Sequence, residues 1–288
     1  MRDQLKAALA RLPFPPFGSR PPLVPVLRLQ GVIAAGALPL RAGSLNLAGL
    51  AGPIERAFSI RGARAVALQV NSPGGSPVQS ALIAARIRQW ADEKKLPVIA
   101  FVEDVAASGG YWLATAADEI LVDRSSILGS IGVISAGFGL AGLIEKLGIE
   151  RRLHTQGERK SLLDPFLPER PEDVARLERL QRQIHRSFID EVKARRGAKL
   201  VDPEANGLFT GEIFVGEEAV RVGLADGMGE IRATLRARFG EKVRLIPLGE
   251  PRGWLRRRLG LGPAPAGELA GEVIGALEER ALWARYGL

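Results

Sequence analysis

Apolar residues in this chain follow two rhythms that take turns. Short runs rich in Val, Ile, Leu and Ala at residues 23–33, 65–71 and 97–102 are too continuous for a half-exposed strand, and they predict strands buried on both faces. Residues 119–122, 131–135, 149–154 and 243–247 add shorter strand candidates. Between the runs the spacing becomes helical. Ala81, Leu82, Ala85 and Ile87 predict a helix over 78–94, and the Ala-rich stretch predicts another over 110–117. Val174, Leu177, Leu180, Ile184, Phe188 and Val192 mark the longest helix, 172–196, which Gly197 stops. Further helices are expected at 45–60 (weakened by Gly49, Gly52 and Pro53), around 140–147, within 217–226 and at 231–239. Strand, glycine turn and helix recur, which predicts an α/β fold layered on a parallel sheet.

The pattern also divides the chain. Residues 1–22 end in a Pro-rich stretch that forbids regular structure and reads as an extended N-terminal arm. Residues 23–248 form the body. From 249 to 288 the composition shifts, with Pro251, Pro263, Pro265 and the run Arg256-Arg257-Arg258, before a final helix expected over 268–286.

At 288 residues, with 46% hydrophobic and 25% charged side chains, the chain has ample material for one large core. It has no cysteine, which excludes disulfides, thiol catalysis and cysteine-bound metals, and its two histidines leave little for a metal site. No cofactor is expected. The net charge of +8 raises the question of nucleic acid, but along 172–196 Arg and Lys alternate with Glu and Asp as on a solvated helix, so no nucleic-acid partner is expected. The start carries Arg2, Asp3, Lys6 and Arg11 and lacks an apolar signal core. The uncharged run 127–144 is broken by five glycines and reads as strand, turn and helix instead of a membrane span. A cytoplasmic chain is expected.

Candidate chemistry centres on Ser108, at a corner where the strand ending near Val102 passes into the helix beginning at Gly110. Gly109 and Gly110 let the backbone turn sharply there. A hydroxyl in that place is either a helix N-cap or a nucleophile facing free amides. The turn Pro73-Gly74-Gly75 at another strand end is either a tight βα turn or half of an oxyanion hole, with the Gly109 amide as the second donor. His154, beside arginines, and His185, on the long charged helix, read as surface or packing histidines. A base then has to come from lysine. Lys160 lies in a loop with apolar neighbours and would act only if burial made its amine neutral; otherwise it is a solvated loop lysine. Ser130, in Gly129-Ser-Ile-Gly-Val133, is either a turn serine or a hydroxyl that holds that amine.

Taken together, Asn71-Ser-Pro-Gly-Gly75, Ala107-Ser-Gly-Gly-Tyr111 with Ala116-Ala-Asp118, Gly129-Ser-Ile-Gly-Val133, Gly157-x-x-Lys160, Thr210-Gly with Ala219, and Gly223-Leu-Ala-Asp226 resemble the bacterial signal peptide peptidase family of SppA type. The likeness runs in order from about Val24 to Pro247. It implies the Clp-protease/crotonase fold and a Ser/Lys dyad, with Ser108 as nucleophile, Lys160 as general base, Ser130 orienting the lysine, and Gly74 or Gly75 with Gly109 as the oxyanion hole. It also implies homo-oligomers in which the serine of one protomer meets the lysine of its neighbour, so that one chain alone keeps the two apart and leaves Lys160 partly exposed.

Two features depart from the family pattern. No N-terminal anchor is read, and Trp112 stands where tyrosine is common, which would alter the cleft. The expected activity is peptide hydrolysis, on signal-peptide remnants or other apolar peptides. Two other readings compete. A crotonase-like acyl-CoA enzyme would need a carboxylate base where Ser108 stands. A non-catalytic scaffold would act at a membrane surface through Trp254 and Arg256–Arg258. That segment, with Leu255, Leu259 and Leu261, offers a peripheral membrane contact or packs on the body.

Overall fold

The structure is a computed structural model, and it describes residues 21–35, 44–157, 159–248 and 280–288. The elements follow the predicted alternation: β1 (Leu23–Gln30), α1 (Leu47–Ser59), β2 (Val66–Ser72), α2 (Pro77–Lys94), β3 (Val98–Ala107), α3 (Gly109–Ala114), β4 (Glu119–Val122), β5 (Ile127–Gly129) and α4 (Ala141–Lys146). Then come α5 (Pro171–Arg196), β6 (Ile213–Val215), α6 (Gly216–Arg221), β7 (Gly227–Met228), α7 (Ile231–Phe239) and β8 (Arg244–Leu248). Their sheet runs β6-β5-β3-β2-β1-β8, with β4 and β7 branching from β3, and β5–β6 is the antiparallel pair. The layered α/β reading is borne out.

Helices cover both faces, as continuous apolar strands require. Leu27, Leu29, Leu68 and Val70 face Leu50, Ile54 and Phe58 of α1 and Ile83 and Ile87 of α2. On the other face, Val24, Val26, Ala67, Ile99 and Phe101 meet Leu235 of α7. α1 forms in spite of its glycines and Pro53, because Asn46 caps it through the Gly49 amide (2.8 Å) and one face is buried.

β3 is the strand that shapes the site, and it runs five residues beyond its predicted end at Val102. Its first half pairs with β4 and its last three residues with β5. Between the halves the register against β2 shifts, from Val70↔Val102 to Ser72↔Ala106. Side chains hold this bulge. The Asn71 amide donates to Asp104 (2.5 Å) while its oxygen accepts from Val105 N (3.3 Å), and Ser126 Oγ donates to the Glu103 carbonyl (2.5 Å). Glu103 and Asp104 thus stay at the surface while the strand resumes and delivers Ser108.

Two expected strands are absent. Residues 131–135 carry no strand, because the chain turns at Gly129 (φ 100°) and Ser130 (φ 50°), and the strand there is 127–129. Residues 149–154 are exposed and find no sheet partner. The long helix is present, but only Phe188 and Val192 of its six marked apolar residues are buried. Leu180 and Ile184 are exposed. The arm, apart from Pro21 and Pro22, and most of the expected 268–286 helix lie outside the described residues, although 280–284 are helical.

Candidate active site

Ser108 follows β3 directly and starts the turn into α3. Its backbone has φ 51° and ψ −123°, a conformation that side-chain-bearing residues rarely adopt and that costs on the order of 1–3 kcal/mol. The surroundings enforce it. Its N–H donates to Gly129 O (2.8 Å), and its own carbonyl accepts from Trp112 N (3.1 Å). Although Ser108 stands at the N-cap position of α3, its hydroxyl makes no capping hydrogen bond. The simple N-cap reading therefore fails: Oγ projects into a cleft of about 700 Å³. α3 is only six residues long, so the stabilising element at this corner is the local amides and not a long helix dipole.

The 73–75 turn lies against this corner with backbone on backbone. A methyl group on Gly74 (φ 103°) would come within 2.9 Å of Ala107 O, Gly109 N and Ser108 Cβ, and one on Gly75 (φ 139°) within 2.0 Å of Ile33 O. Only glycine fits at either place. The Gly74 amide is engaged with Ser72 Oγ (3.3 Å). The amides of Gly75 and Gly109 make no backbone hydrogen bond among the described residues. They are also close together, since a methyl on Gly109 would lie 3.4 Å from Gly75 N. Gly75 with Gly109 is thus the pair with donors to offer.

Ser130 borders the same cleft, as do Pro73, Pro77, Val133, Ile134 and Ala136. Its N–H donates to Glu212 O (2.7 Å), and its Oγ lies 3.4 Å from the hydroxyl of Tyr286. Leu282, Arg285 and Tyr286 form one wall, so the described end of the tail sits at the cleft. The Trp254–Leu261 segment lies outside the described residues.

Lys160 is not in this cleft. It is exposed and lines a separate hollow of about 380 Å³ with Arg151, Leu153 and Phe166. The structure therefore brings together Ser108, Ser130, Gly75 and Gly109 and leaves Lys160 elsewhere on the chain. The segment that carries Lys160 is rich in uncovered apolar side chains: Ile134 is 67% exposed and Phe138 86%, and Leu143, Leu147 and Ile149 follow.

Other motif residues prove structural. Asp118 accepts from Val98 N (2.8 Å) and Arg88 (2.8 Å). Asp226 accepts from Arg196 (2.8 Å), Lys199 (2.7 Å) and Ile120 N (2.7 Å). Burial pushes its carboxyl up, but these donors outweigh it and hold the group below the usual carboxylate range. Tyr111, fully buried, donates to Leu224 O (2.9 Å), and burial pushes its phenol far above the usual range. Trp112 does not reshape the cleft: it stacks on Phe188 with ring centroids 4.7 Å apart.

One cleft residue was not singled out from sequence. His185 borders the cleft of Ser108, with Nε2 3.0 Å from Ile131 O. Its helical spacing marks only a partly apolar face, and nothing local tells which strand end that face meets.

Among the described residues no helix is long and apolar enough to cross a membrane. The model of Peptidase family S49 matches residues 91–243, more than half of the chain. Over 275 residues the chain is 50% identical to a Brucella abortus protein described as Na(+)/H(+) antiporter NhaA, taking in 92% of this chain and 37% of that one. It is 33% identical over 209 residues to the chloroplastic serine protease SPPA of Arabidopsis thaliana, covering 69% of this chain and 30% of the relative. The chain thus spans well under half the length of either. A solved membrane-bound stomatin-specific protease aligns with TM-score 0.47 and 17% identity, over 79% of this chain and 99% of that one. The match to the family model takes in the Ser108 corner, Ser130 and Lys160, and it joins the ordered motifs in one conclusion: the chain belongs to peptidase family S49.

Proposed function

We propose that this chain is a serine endopeptidase that cleaves extended apolar peptides, signal-peptide remnants among them, through an acyl-enzyme on Ser108. The observation that carries this reading is the Ser108 corner itself. A serine held at positive φ, with a hydroxyl that makes no capping hydrogen bond, faces a cleft beside two amides that make no backbone hydrogen bond among the described residues. Backbone strain of this kind persists where the surroundings over-determine it, and it suits a nucleophile that must stand clear of its own helix.

In the proposed reaction Ser108 Oγ attacks the scissile carbonyl while the neutral amine of Lys160 takes the hydroxyl proton. The Gly75 and Gly109 amides hold the resulting oxyanion. The lysine then gives its proton to the departing amine, the C–N bond breaks and an ester remains on Ser108. Water adds to that ester, losing a proton to Lys160, which returns it to Ser108 Oγ as the C–O bond breaks and the acid is released. Ser130 Oγ orients the amine. Because Lys160 lies outside the cleft of its own chain, the base is supplied by a second copy, whose arm docks through residues 134–149. Val133, Ile134, Ala136 and Leu282 give one part of the cleft an apolar lining suited to apolar side chains of such peptides, beside a polar part that includes Ser108, Ser130 and His185.

Hydrolysis of a fluorogenic apolar peptide tests this. Wild type is expected to cleave it, and Ser108→Ala and Lys160→Ala to fall to background. Turnover by Ser108→Ala would remove the nucleophile assignment. The crotonase-like alternative has no observation in its favour, since among the described residues no carboxylate borders the cleft.

A further inference from the structure

The wall of the cleft beyond Ser130 is fastened at few points. Ser130 N donates to Glu212 O (2.7 Å), and the next backbone bond among the described residues comes only at Leu140 N, to Pro165 O (2.6 Å). Between them, Gly132, Val133, Ile134 and Ala136 border the cleft without regular structure. The span is anchored at its start by the fully buried side chain of Ile131. Among the described residues one side-chain hydrogen bond falls inside it: the half-buried ring of His185 on α5, whose Nε2 is 3.0 Å from the carbonyl oxygen of Ile131. A carbonyl oxygen only accepts, so Nε2 carries the proton, in the neutral tautomer and the imidazolium alike.

The position of that carbonyl matters. Ile131 follows Ser130, whose φ of 50° has to be enforced by neighbours, and the peptide plane carrying the carbonyl leads into Gly132, which offers little resistance to rotation. Glu212 O holds one side of Ser130, and the His185 donor together with the buried Ile131 side chain holds the other, so the turn that aims Ser130 Oγ is fixed from both sides. Without the imidazole donor, the Ile131 carbonyl loses its partner, and the turn after Ser130 is held by the buried Ile131 side chain alone.

We propose that His185 is a positioning residue of the peptidase site: by donating Nε2–H to Ile131 O it fixes the direction of Ser130 Oγ relative to Ser108. This rests on the reading above, in which Ser130 orients the lysine. In this role His185 acts through its Nε2–H donor and not as the base, which the reading above gives to Lys160.

The test uses the full-length chain with a fluorogenic apolar peptide, comparing wild type, His185→Ala, His185→Gln, Lys160→Ala and Ser108→Ala. His185→Ala is expected to lower kcat about tenfold, the effect of one oriented hydrogen bond, while KM stays within about threefold. Its Tm is expected within about 2 °C of wild type, since the ring is only half-buried. Glutamine keeps an N–H donor near the place of Nε2 but cannot act as a base near neutral pH, so His185→Gln is expected to recover most of kcat. The proposal is overturned by wild-type kcat in His185→Ala, by equal inactivity of the Ala and Gln variants, or by loss of activity that only tracks a lowered Tm. If Lys160→Ala keeps full turnover, the lysine reading fails and the positioning role fails with it. If Lys160→Ala is dead while His185→Ala is unaffected, the positioning role alone fails.

Discussion

Ser108 and Ser130 stand side by side at the ends of two neighbouring parallel strands. Ala107 is in register with Gly129, each serine is the next residue, and both have left-handed backbones, at φ 51° and 50°. The Ser108 amide closes the pair by donating to Gly129 O at 2.8 Å. Ligand sites in parallel sheets form where strands end and chains diverge, and this pair marks such a place. The β3 bulge held by Asn71 and Ser126 sets the register that brings the two serines level.

The strain at Ser108 separates its catalytic role from its structural one. Ser108→Gly and Ser108→Ala are both expected to abolish hydrolysis. The glycine variant, which tolerates φ 51°, is expected to be more stable than the alanine variant by about 1 kcal/mol. Urea unfolding of the two proteins reads the difference, and equal stabilities would mean that the corner is not strained.

Gly75→Ala places a methyl group where Ile33 O already lies 2.0 Å away. Relief requires the 73–76 turn to move and take the Gly75 amide with it. Expected are a loss of roughly 2 kcal/mol or more of stability and a fall in kcat that exceeds any change in KM. Unfolding and steady-state kinetics on one preparation test both parts.

Sharing of the site between copies has a direct test in complementation. Ser108→Ala and Lys160→Ala proteins, each inactive, are expected to regain part of wild-type activity when mixed under conditions that exchange subunits. A mixture that stays inactive after exchange is demonstrated by mass would end the shared-site reading.

Phe138 is 86% exposed. Phe138→Asp is therefore expected to change monomer stability by no more than about 0.5 kcal/mol. It is expected to lower both the sedimenting mass and the hydrolysis rate, because a charge on the docking face opposes association. An unchanged mass would place the interface elsewhere.

Asp226 predicts an acid limb. Its carboxyl is held below the ordinary 3.8 by Arg196, Lys199 and the Ile120 amide, which outweigh its burial. A group depressed on folding stabilises the protein fully above its unfolded value and loses that contribution as pH falls through its folded value. Wild type should lose stability as pH drops below about 4, and Asp226→Asn should show a flatter dependence there. At pH 7 that variant is expected to be less stable by about 3 kcal/mol, since Arg196, with a side chain only 2% exposed, loses its charged partner and keeps the Gly223 carbonyl. Unfolding from pH 7 to pH 2 checks the sign.

By itself the sequence determined the alternation of strands and helices, because burial on two faces or one is written in the local spacing of apolar residues. The helix at 231–239 and the strand at 65–71 appear essentially where that spacing puts them. It also marked the Ser108 corner and the 73–75 turn, since sharp turns demand glycine and serine types that stand out in a row of aliphatic residues. Only the tertiary structure decided what depends on neighbours distant in the chain. Residues 131–135 have strand composition, yet the register of β5 against β3 and the turn at Ser130 make them a cleft wall. His185 read as a surface or packing histidine, and only the fold decides which, since α5 lies across Ile131, 54 residues away. Lys160 has its apolar neighbours, but the fold of one chain leaves it exposed and outside the cleft of Ser108. Local spacing fixes which face of an element is apolar, while the packing of the whole chain decides what that face meets.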